Sequence, residues 1–389
     1  MIEFINKRVK EIEMTGIRTF SYKVQEYKDV VDLTVGQPDF FTPKHIKDSG
    51  KFAIDENYTS YSHNSGFLEL RKAASSYINK KYQLSYNPLD EIIVTNGASE
   101  GIDIAFRTIL DEGSEVILPG PIYPGYEPLI KLCGAIPVFV DTSSNNFKIN
   151  ANMIRCRITE KTRCIVLSYP SNPIGTILKK DELIEIANLL RDKQIFIISD
   201  EIYSELTFDS HHISIAALPG MKEKTIIING LAKSHSMTGW RIGFTFAPSY
   251  LSNEMLKVHA YNSVCASSIS QKAAITALTT GIDDPLEMME EYRKRRDYAY
   301  NRLVSMGMEI VKPEGAFYLF PSIKKTGMKS YEFAIRLLET QGVAVVPGDS
   351  FSIFGEGYIR ISYAYSMEVL EKGLNRIEEF VKSQTVTCI

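Results

Sequence analysis

Lys233 stands in the run Gly230-Leu231-Ala232-Lys233-Ser234-His235-Ser236-Met237-Thr238-Gly239-Trp240-Arg241-Ile242-Gly243, directly after the strand-like Thr225-Ile226-Ile227-Ile228-Asn229. A lysine that loses its proton is a nucleophile toward an aldehyde, and an arginine among glycines can hold an anion close to the backbone. Taken alone, Lys233 is equally one of the many lysines that sit in solvent. Asp200 closes the run Ile195-Phe196-Ile197-Ile198-Ser199-Asp200 and is followed by Glu201-Ile202-Tyr203. The segment Thr95-Asn96-Gly97-Ala98-Ser99-Glu100-Gly101 ends a strand-like run and opens a helical one, so its free backbone N–H groups form an anion site. Arg360, in Gly357-Tyr358-Ile359-Arg360-Ile361-Ser362, carries a planar guanidinium that can fork onto a carboxylate with two parallel bonds. Each of these has a plainer reading. Asp200 and the turn at 95–101 can be helix caps, Tyr203 core packing, and Arg360 an exposed residue on an edge strand.

The elements that must position these groups follow from the periodicity. From about Gly66 to Ala247, amphipathic stretches alternate with short β-branched runs. FLELRKAASSYINKKY, ASEGIDIAFRTIL, GYEPLIKLCG and DELIEIANLLRDK read as helices. EIIVT, EVILP, IPVFV, RCIVLSYP, IFIISD, TIIIN and IGFTFA read as strands. That alternation predicts a mostly parallel sheet wrapped by helices. After Phe246 the pattern turns to longer helices, and MEIVK, AFYLFP, VAVVP and YIRISYA then read as strands of a smaller α/β unit. The expected division is residues 1–45 packing with the small domain, 46–285 as the large domain and 286–389 as the small one.

Bulk properties exclude several function classes. With 44 basic and 47 acidic residues the formal charge is -3, so no electrostatic footprint for nucleic acid or an anionic membrane exists. The five cysteines (Cys133, Cys156, Cys164, Cys265, Cys388) are scattered without C-x-x-C spacing, which suggests neither a disulfide framework nor a zinc site. The histidines, His211-His212 included, show no metal-ligand spacing. The opening MIEFINKRVKEIEM is too charged for the core of a signal peptide. A soluble cytoplasmic protein that meets small molecules or other chains is expected.

The Lys233 run resembles the lysine signature of the class I and II aminotransferases, the fold-type I enzymes that use pyridoxal 5′-phosphate (PLP). The other motifs arrive in family order from Gly36 to Arg360. The resemblance implies a PLP-dependent transferase fold, a large domain with a mainly parallel seven-stranded sheet and a smaller C-terminal α/β domain. It also assigns roles. Lys233 bonds to the cofactor aldehyde and later shuttles a proton. Asp200 keeps the pyridine nitrogen protonated, and Tyr203 donates to the ring's phenolate oxygen. Gly97, Ala98, Ser99 and Arg241 hold the phosphate, and Tyr61 reaches the phosphate of a neighbouring subunit, which implies a homodimer with shared sites. Tyr123, in Pro121-Ile122-Tyr123-Pro124, stacks on the ring. Asn172, in Ser171-Asn172-Pro173-Ile174-Gly175, meets the phenolate oxygen and lies near the substrate carboxylate; apart from the family, this is a simple Asn-Pro turn. Arg360 takes the α-carboxylate, Gly36 lies over the substrate, and Glu201 is structural support.

Two details refine the expectation. Many relatives carry serines where this chain has Gly230 and Ala232, so phosphate binding is expected to lean on Arg241, Ser99 and Tyr61. KEIEMTGIR, LTVGQPDFFTP, PGPIYPGYEPLI, SDEIYSELT and KSHSMTGWRIGF look most like bacterial aminotransferase A, a group assigned to N-acetyl-LL-diaminopimelate transamination in lysine biosynthesis with glutamate and 2-oxoglutarate as the other pair. Aromatic or kynurenine-type transamination and β-elimination from cysteine conjugates are the alternatives on the same scaffold. A distal substrate carboxylate would need its own cation, for which Arg18 is the candidate; its plainer reading is a solvated surface arginine.

Overall fold

The computed structural model describes residues 1–385 of the 389. Cys388 and the end of the expected 286–389 segment lie outside the described residues, and the other four cysteines are free thiols. In chain order the strands are β1 (Val31–Asp32), β2 (Ile92–Thr95), β3 (Glu115–Gly120), β4 (Ile136–Asp141), β5 (Thr162–Ser168) and β6 (Phe196–Asp200). They continue with β7 (Thr225–Gly230), β8 (Gly243–Phe246), β9 (Tyr318–Leu319), β10 (Val343–Ala344), β11 (Val346–Pro347) and β12 (Ile359–Ser362).

Strands β2 to β8 form one seven-stranded sheet in the order β2-β8-β7-β6-β5-β3-β4. Only β8 runs against its neighbours; β3, β4, β5, β6 and β7 pair in parallel. The central strands are continuous apolar runs because both faces are covered, and their side chains alternate between two cores. Val116, Leu118, Cys164, Val166, Ile198, Ile226 and Ile228 pack under the helix Ala98–Ile109 through Ile102, Phe106 and Ile109. Ile117, Ile165, Leu167 and Ile197 point the other way, against Leu183, Ile186 and Leu190 of the helix Lys180–Leu190.

This topology decides where chemistry can sit. Strand β2 is antiparallel to β8, which is antiparallel to β7, so β2, β5, β6 and β7 all end on the same edge. Those ends deliver Gly97, Asn172, Asp200 and Lys233 to one crevice, the usual ligand position in open α/β sheets.

The remaining strands are short. β1 pairs in parallel with β10, and β11, β12 and β9 form an antiparallel trio. Phe20, Val24, Val31 and Leu33 from the N-terminal segment are buried with Phe333, Leu337, Val343, Leu370 and Leu374. The strand expected at 308–312 does not form. Its Glu309 carbonyl accepts one N–H, from Ser322, and no ladder continues. Val311 turns instead toward Phe147 and Phe320, and Pro313 has no N–H to extend a pairing. Among the described residues no helix is long and apolar enough to cross a membrane.

Candidate active site

A cavity of about 480 Å³ opens at the strand edge, and Gly36, Ala98, Ser99, Tyr123, Asn172, Asp200, Tyr203, Lys233, Arg241 and Arg360 all line it. Arg18 lines it as well. Residues separated by more than 300 positions in the chain thus meet in one space.

Asp200 is 5 % exposed at the end of β6. Its Oδ2 accepts from the Tyr126 hydroxyl at 2.5 Å and its Oδ1 from the Ile202 N–H at 3.2 Å. Burial nevertheless pushes its carboxyl up to about 6, because those donors and the nearby Lys233 only partly offset desolvation. Glu201, its sequence neighbour, faces elsewhere. It is fully buried against Ser199 and Ser214 hydroxyls at 2.7 and 2.6 Å, and His212 lies 3.0 Å away.

The Lys233 amine donates to the Gly36 carbonyl at 2.6 Å and lies 5.8 Å from the ring centres of Tyr203 and Phe317. Burial, with the Arg360 and Arg241 cations, lowers it from 10.5 to about 8, against a smaller opposing pull from Asp200. Such an amine carries a substantial neutral fraction near physiological pH and can act as nucleophile or base. Gly36 must be glycine for this approach, since a Cβ would stand 2.5 Å from the Tyr318 hydroxyl.

The anion end is built from the first turn of the helix Ala98–Ile109, whose N-cap Gly97 supplies no side-chain acceptor. The N–H groups of that turn stay free to bind an anion, and the helix dipole favours one there. Arg241 closes the turn, donating to the carbonyls of Asn96 at 3.3 Å and Thr238 at 3.1 Å. Gly97 itself does not line the cavity. It has φ +80°, and a Cβ there would meet Arg241 Nη2 at 2.5 Å, so its role is to let the guanidinium fold over the turn. The missing serine at 230 has a steric reason too: a Cβ at Gly230 already stands 3.0 Å from the Ile242 carbonyl.

At the other end Arg360 is 2 % exposed. Its Nη1 donates to Asn172 Oδ1 at 3.0 Å and its Nη2 to the Thr34 carbonyl at 2.6 Å, while its Nε has no partner. The guanidinium lies 4.5 Å from the Tyr318 ring centre. Among the described residues no carboxylate neutralises it. A buried cation held only by neutral acceptors is a site waiting for an anion.

Tyr61 does not join this cavity and is 82 % exposed. Conversely, Tyr126, Tyr318, Thr34 and Ser168 belong to the wall without having been singled out from sequence. Tyr318 hydrogen-bonds the Tyr203 hydroxyl at 2.7 Å. Tyr126 had one available signal: it follows Tyr123 by three residues and opens the helix Tyr126–Leu132.

Comparison with known proteins agrees with this geometry. The family described as aminotransferase class I and II matches residues 28–377. The chain is 58 % identical to a probable N-acetyl-LL-diaminopimelate aminotransferase of Bacillus subtilis (strain 168), over 98 % of this chain and 96 % of that one. It is 42 % identical to an aspartate aminotransferase of Pyrococcus abyssi, over 92 % of this chain and 94 % of the other. Among solved structures it resembles an aromatic aminotransferase from Pyrococcus horikoshii, with TM-score 0.90, 40 % identity and coverage of 94 % and 99 %. It also resembles the aspartate aminotransferase of Thermus thermophilus with maleate, with TM-score 0.92, 34 % identity and coverage of 96 % and 99 %. The match in sequence along nearly the whole chain, and in fold at the same strand edge, means that the chain belongs to the class I and II aminotransferases, enzymes that move amino groups with pyridoxal 5′-phosphate.

Proposed function

We propose that this aminotransferase takes the amino group of N-acetyl-LL-diaminopimelate, with glutamate and 2-oxoglutarate as the other pair, in a ping-pong cycle that serves lysine biosynthesis. The observation that carries the reading is a further cation in the cavity wall besides Arg360 and Arg241. Arg18 lines the cavity with no hydrogen-bonded or ion-paired partner for its guanidinium among the described residues. Arg360 can satisfy only one carboxylate, and these substrates carry two. The name printed for the Bacillus subtilis relative supports the same choice.

The residues present fit PLP. The free N–H groups at 98 and 99 with Arg241 suit a phosphate, and a buried carboxylate driven up to about 6 is one that a protonated ring nitrogen would relieve. When bound, the cofactor supplies an aldehyde that bonds to amines and a ring that takes up the electron pair left at the substrate Cα. In this reading Lys233 would hold the cofactor and, as a free amine lowered to about 8, would move a proton at the substrate Cα. Asp200 keeps the ring nitrogen protonated, with Tyr126 and the Ile202 N–H fixing its orientation. Tyr203 and Asn172 donate to the phenolate oxygen, Tyr123 stacks on the ring, Ser99 and Arg241 hold the phosphate, and Arg360 holds the α-carboxylate beneath Gly36.

The proposal includes a homodimer in the cytoplasm, with the exposed Tyr61 of each chain completing the phosphate site of the other. It also takes residues 46–285 as the large domain and 286–389 as the small domain, with the N-terminal segment 1–45 packing with the small domain. A panel of amino donors, scored by conversion of the cofactor spectrum to its amine form, tests it. N-acetyl-LL-diaminopimelate and glutamate are expected to convert the enzyme fastest. Faster conversion by phenylalanine or kynurenine would replace the substrate reading with an aromatic one, and release of pyruvate and ammonia from cystathionine would replace it with β-elimination.

A further inference from the structure

Behind the anion-binding turn lies a buried charged cluster that none of these roles uses. Glu100, in the first turn of the helix Ala98–Ile109, accepts at Oε2 from the Asn96 N–H at 2.6 Å and from Asn96 Nδ2 at 3.1 Å. Its Oε1 accepts the Ser263 hydroxyl and stands 3.0 Å from His259 Nδ1. The other ring nitrogen, His259 Nε2, lies 3.0 Å from the backbone carbonyl of Asn64. His259 is fully buried.

A carboxylate and a peptide carbonyl can only accept, so each ring nitrogen of His259 faces an acceptor. Burial alone would raise the Glu100 carboxyl, but hydrogen bonds from His259, the Asn96 N–H and Ser263 outweigh it and hold the group below its ordinary range. Glu100 and His259 are therefore a buried, hydrogen-bonded pair.

What the pair joins gives it a purpose. Asn64 belongs to the loop that carries Tyr61, and this loop hangs from the helices Ser249–Ser263 and Ser268–Leu278. Asn64 Nδ2 donates to the Val264 carbonyl at 2.7 Å, Ser268 Oγ to the Ser60 carbonyl at 2.7 Å, and Gln271 Nε2 to Ser62 Oγ at 2.9 Å. On the opposite side, the Asn96 N–H is held by Glu100 while the Asn96 carbonyl accepts Arg241. The cluster thus spans from the Tyr61 loop to the turn under Arg241.

We propose that the His259–Glu100 pair is a positioning device that fixes the phosphate-binding turn relative to the Tyr61 loop of the same chain, so that each chain presents the turn to its own phosphate and, in register with it, Tyr61 to the phosphate of its partner. This rests on the reading above that the turn at 97–99 takes the cofactor phosphate. A buried carboxylate with directional hydrogen-bond partners penalises misplacement of either side heavily, which suits a part whose task is alignment.

Equilibrium binding of PLP and of pyridoxal, which lacks the phosphate, to the full chain freed of cofactor tests the proposal, followed by fluorescence of Trp240, the single tryptophan. In Glu100→Gln and His259→Gln the Kd for PLP is expected to rise about tenfold or more while that for pyridoxal moves less than about twofold, and the double variant should lose no more than the worse single. Glu100→Asp, which keeps the charge but shortens its reach, should weaken PLP binding in the same selective way and serves if a glutamine variant does not fold. Unchanged PLP binding, or equal losses for both ligands, would make the pair an ordinary core element and overturn the proposal. Equal affinity of the wild-type chain for PLP and pyridoxal would overturn the phosphate assignment instead, so the two failures are distinguishable.

Discussion

Asp200 and Arg18 line the same cavity and are held in opposite ways. Asp200 sits at the end of a parallel strand in the middle of the sheet, has a donor on each oxygen, and is cut off from solvent. Arg18 lies on the nine-residue helix Gly16–Val24, which is anchored on its other side by Phe20 and Val24, and its guanidinium is exposed and unpaired among the described residues. The wall at the strand ends fixes every group by packing and hydrogen bonds, as reacting atoms require. The wall made by the N-terminal segment presents groups that an incoming molecule must organise. Changes on the first wall should therefore act on every substrate, and changes on the second only on substrates that reach it.

The sharpest way to break this comparison is at Lys233. Lys233→Ala is expected to keep the fold and noncovalent PLP but to lower turnover by on the order of 10⁵-fold for every amino donor, since both nucleophile and proton carrier are gone. Borohydride reduction followed by mass measurement should place a cofactor adduct on the wild-type chain and none on the variant. An adduct that persists would move the covalent bond to another lysine.

Asp200→Asn should cost less in rate but separates activity from stability. A neutral amide cannot hold a ring nitrogen protonated, so turnover is expected to fall by roughly a thousandfold, about 4 kcal/mol of barrier, again for all donors. Without cofactor the sign reverses. Because the folded carboxyl is raised from 3.8 to about 6, its destabilising contribution is absent below the unfolded value, develops as pH rises through about 6, and is constant above that. That contribution is about 3 kcal/mol. The amide removes it, and the Tyr126 hydroxyl, 3.1 Å from Ser168 Oγ, can turn there to accept from the new side chain. The cofactor-free variant should therefore melt higher than the cofactor-free wild type at pH 8 and show no gain at pH 4. A lower Tm at pH 8 would mean that the carboxylate is already paired in the empty site.

The two walls were also unequally legible in the sequence. The strand ends could be read because each central strand is an unbroken apolar run that stops at a polar or glycine-rich turn, so Asp200, Lys233 and the turn at 97–99 were marked by where hydrophobicity ends. Tyr126 and Tyr318 carried no such mark. A tyrosine suits a core and a site equally, and only in the folded chain is one hydroxyl spent on Asp200 and the other on Tyr203. The expected strand at 308–312 failed for a related reason: Met308 is buried and Ile310 and Val311 half-buried, but by side-chain packing rather than by a ladder. Gly97 was read as part of a phosphate cradle, and the fold puts a further demand on it, since close approach of the Arg241 guanidinium also requires glycine there.

Arg18→Ala is expected to have the smallest effect and is the most informative about the second wall. An exposed, unpaired guanidinium supports no packing and closes no ion pair, so its removal should leave Tm and PLP affinity unchanged. For a donor with one carboxylate, kcat/KM should stay within about twofold, because Arg360 remains the α-carboxylate partner. For N-acetyl-LL-diaminopimelate and glutamate the distal carboxylate loses its charge-assisted partner, and a drop of about 10- to 100-fold is expected. Arg18→Lys should recover only part, since an ammonium reaches as a point charge without the planar fork. An equal loss for all donors would make Arg18 part of the fixed wall and erase the contrast with Asp200. No loss for any donor would leave the contrast intact and assign the distal carboxylate to another group, for which the exposed Gln37 at the same cavity is the next residue to change.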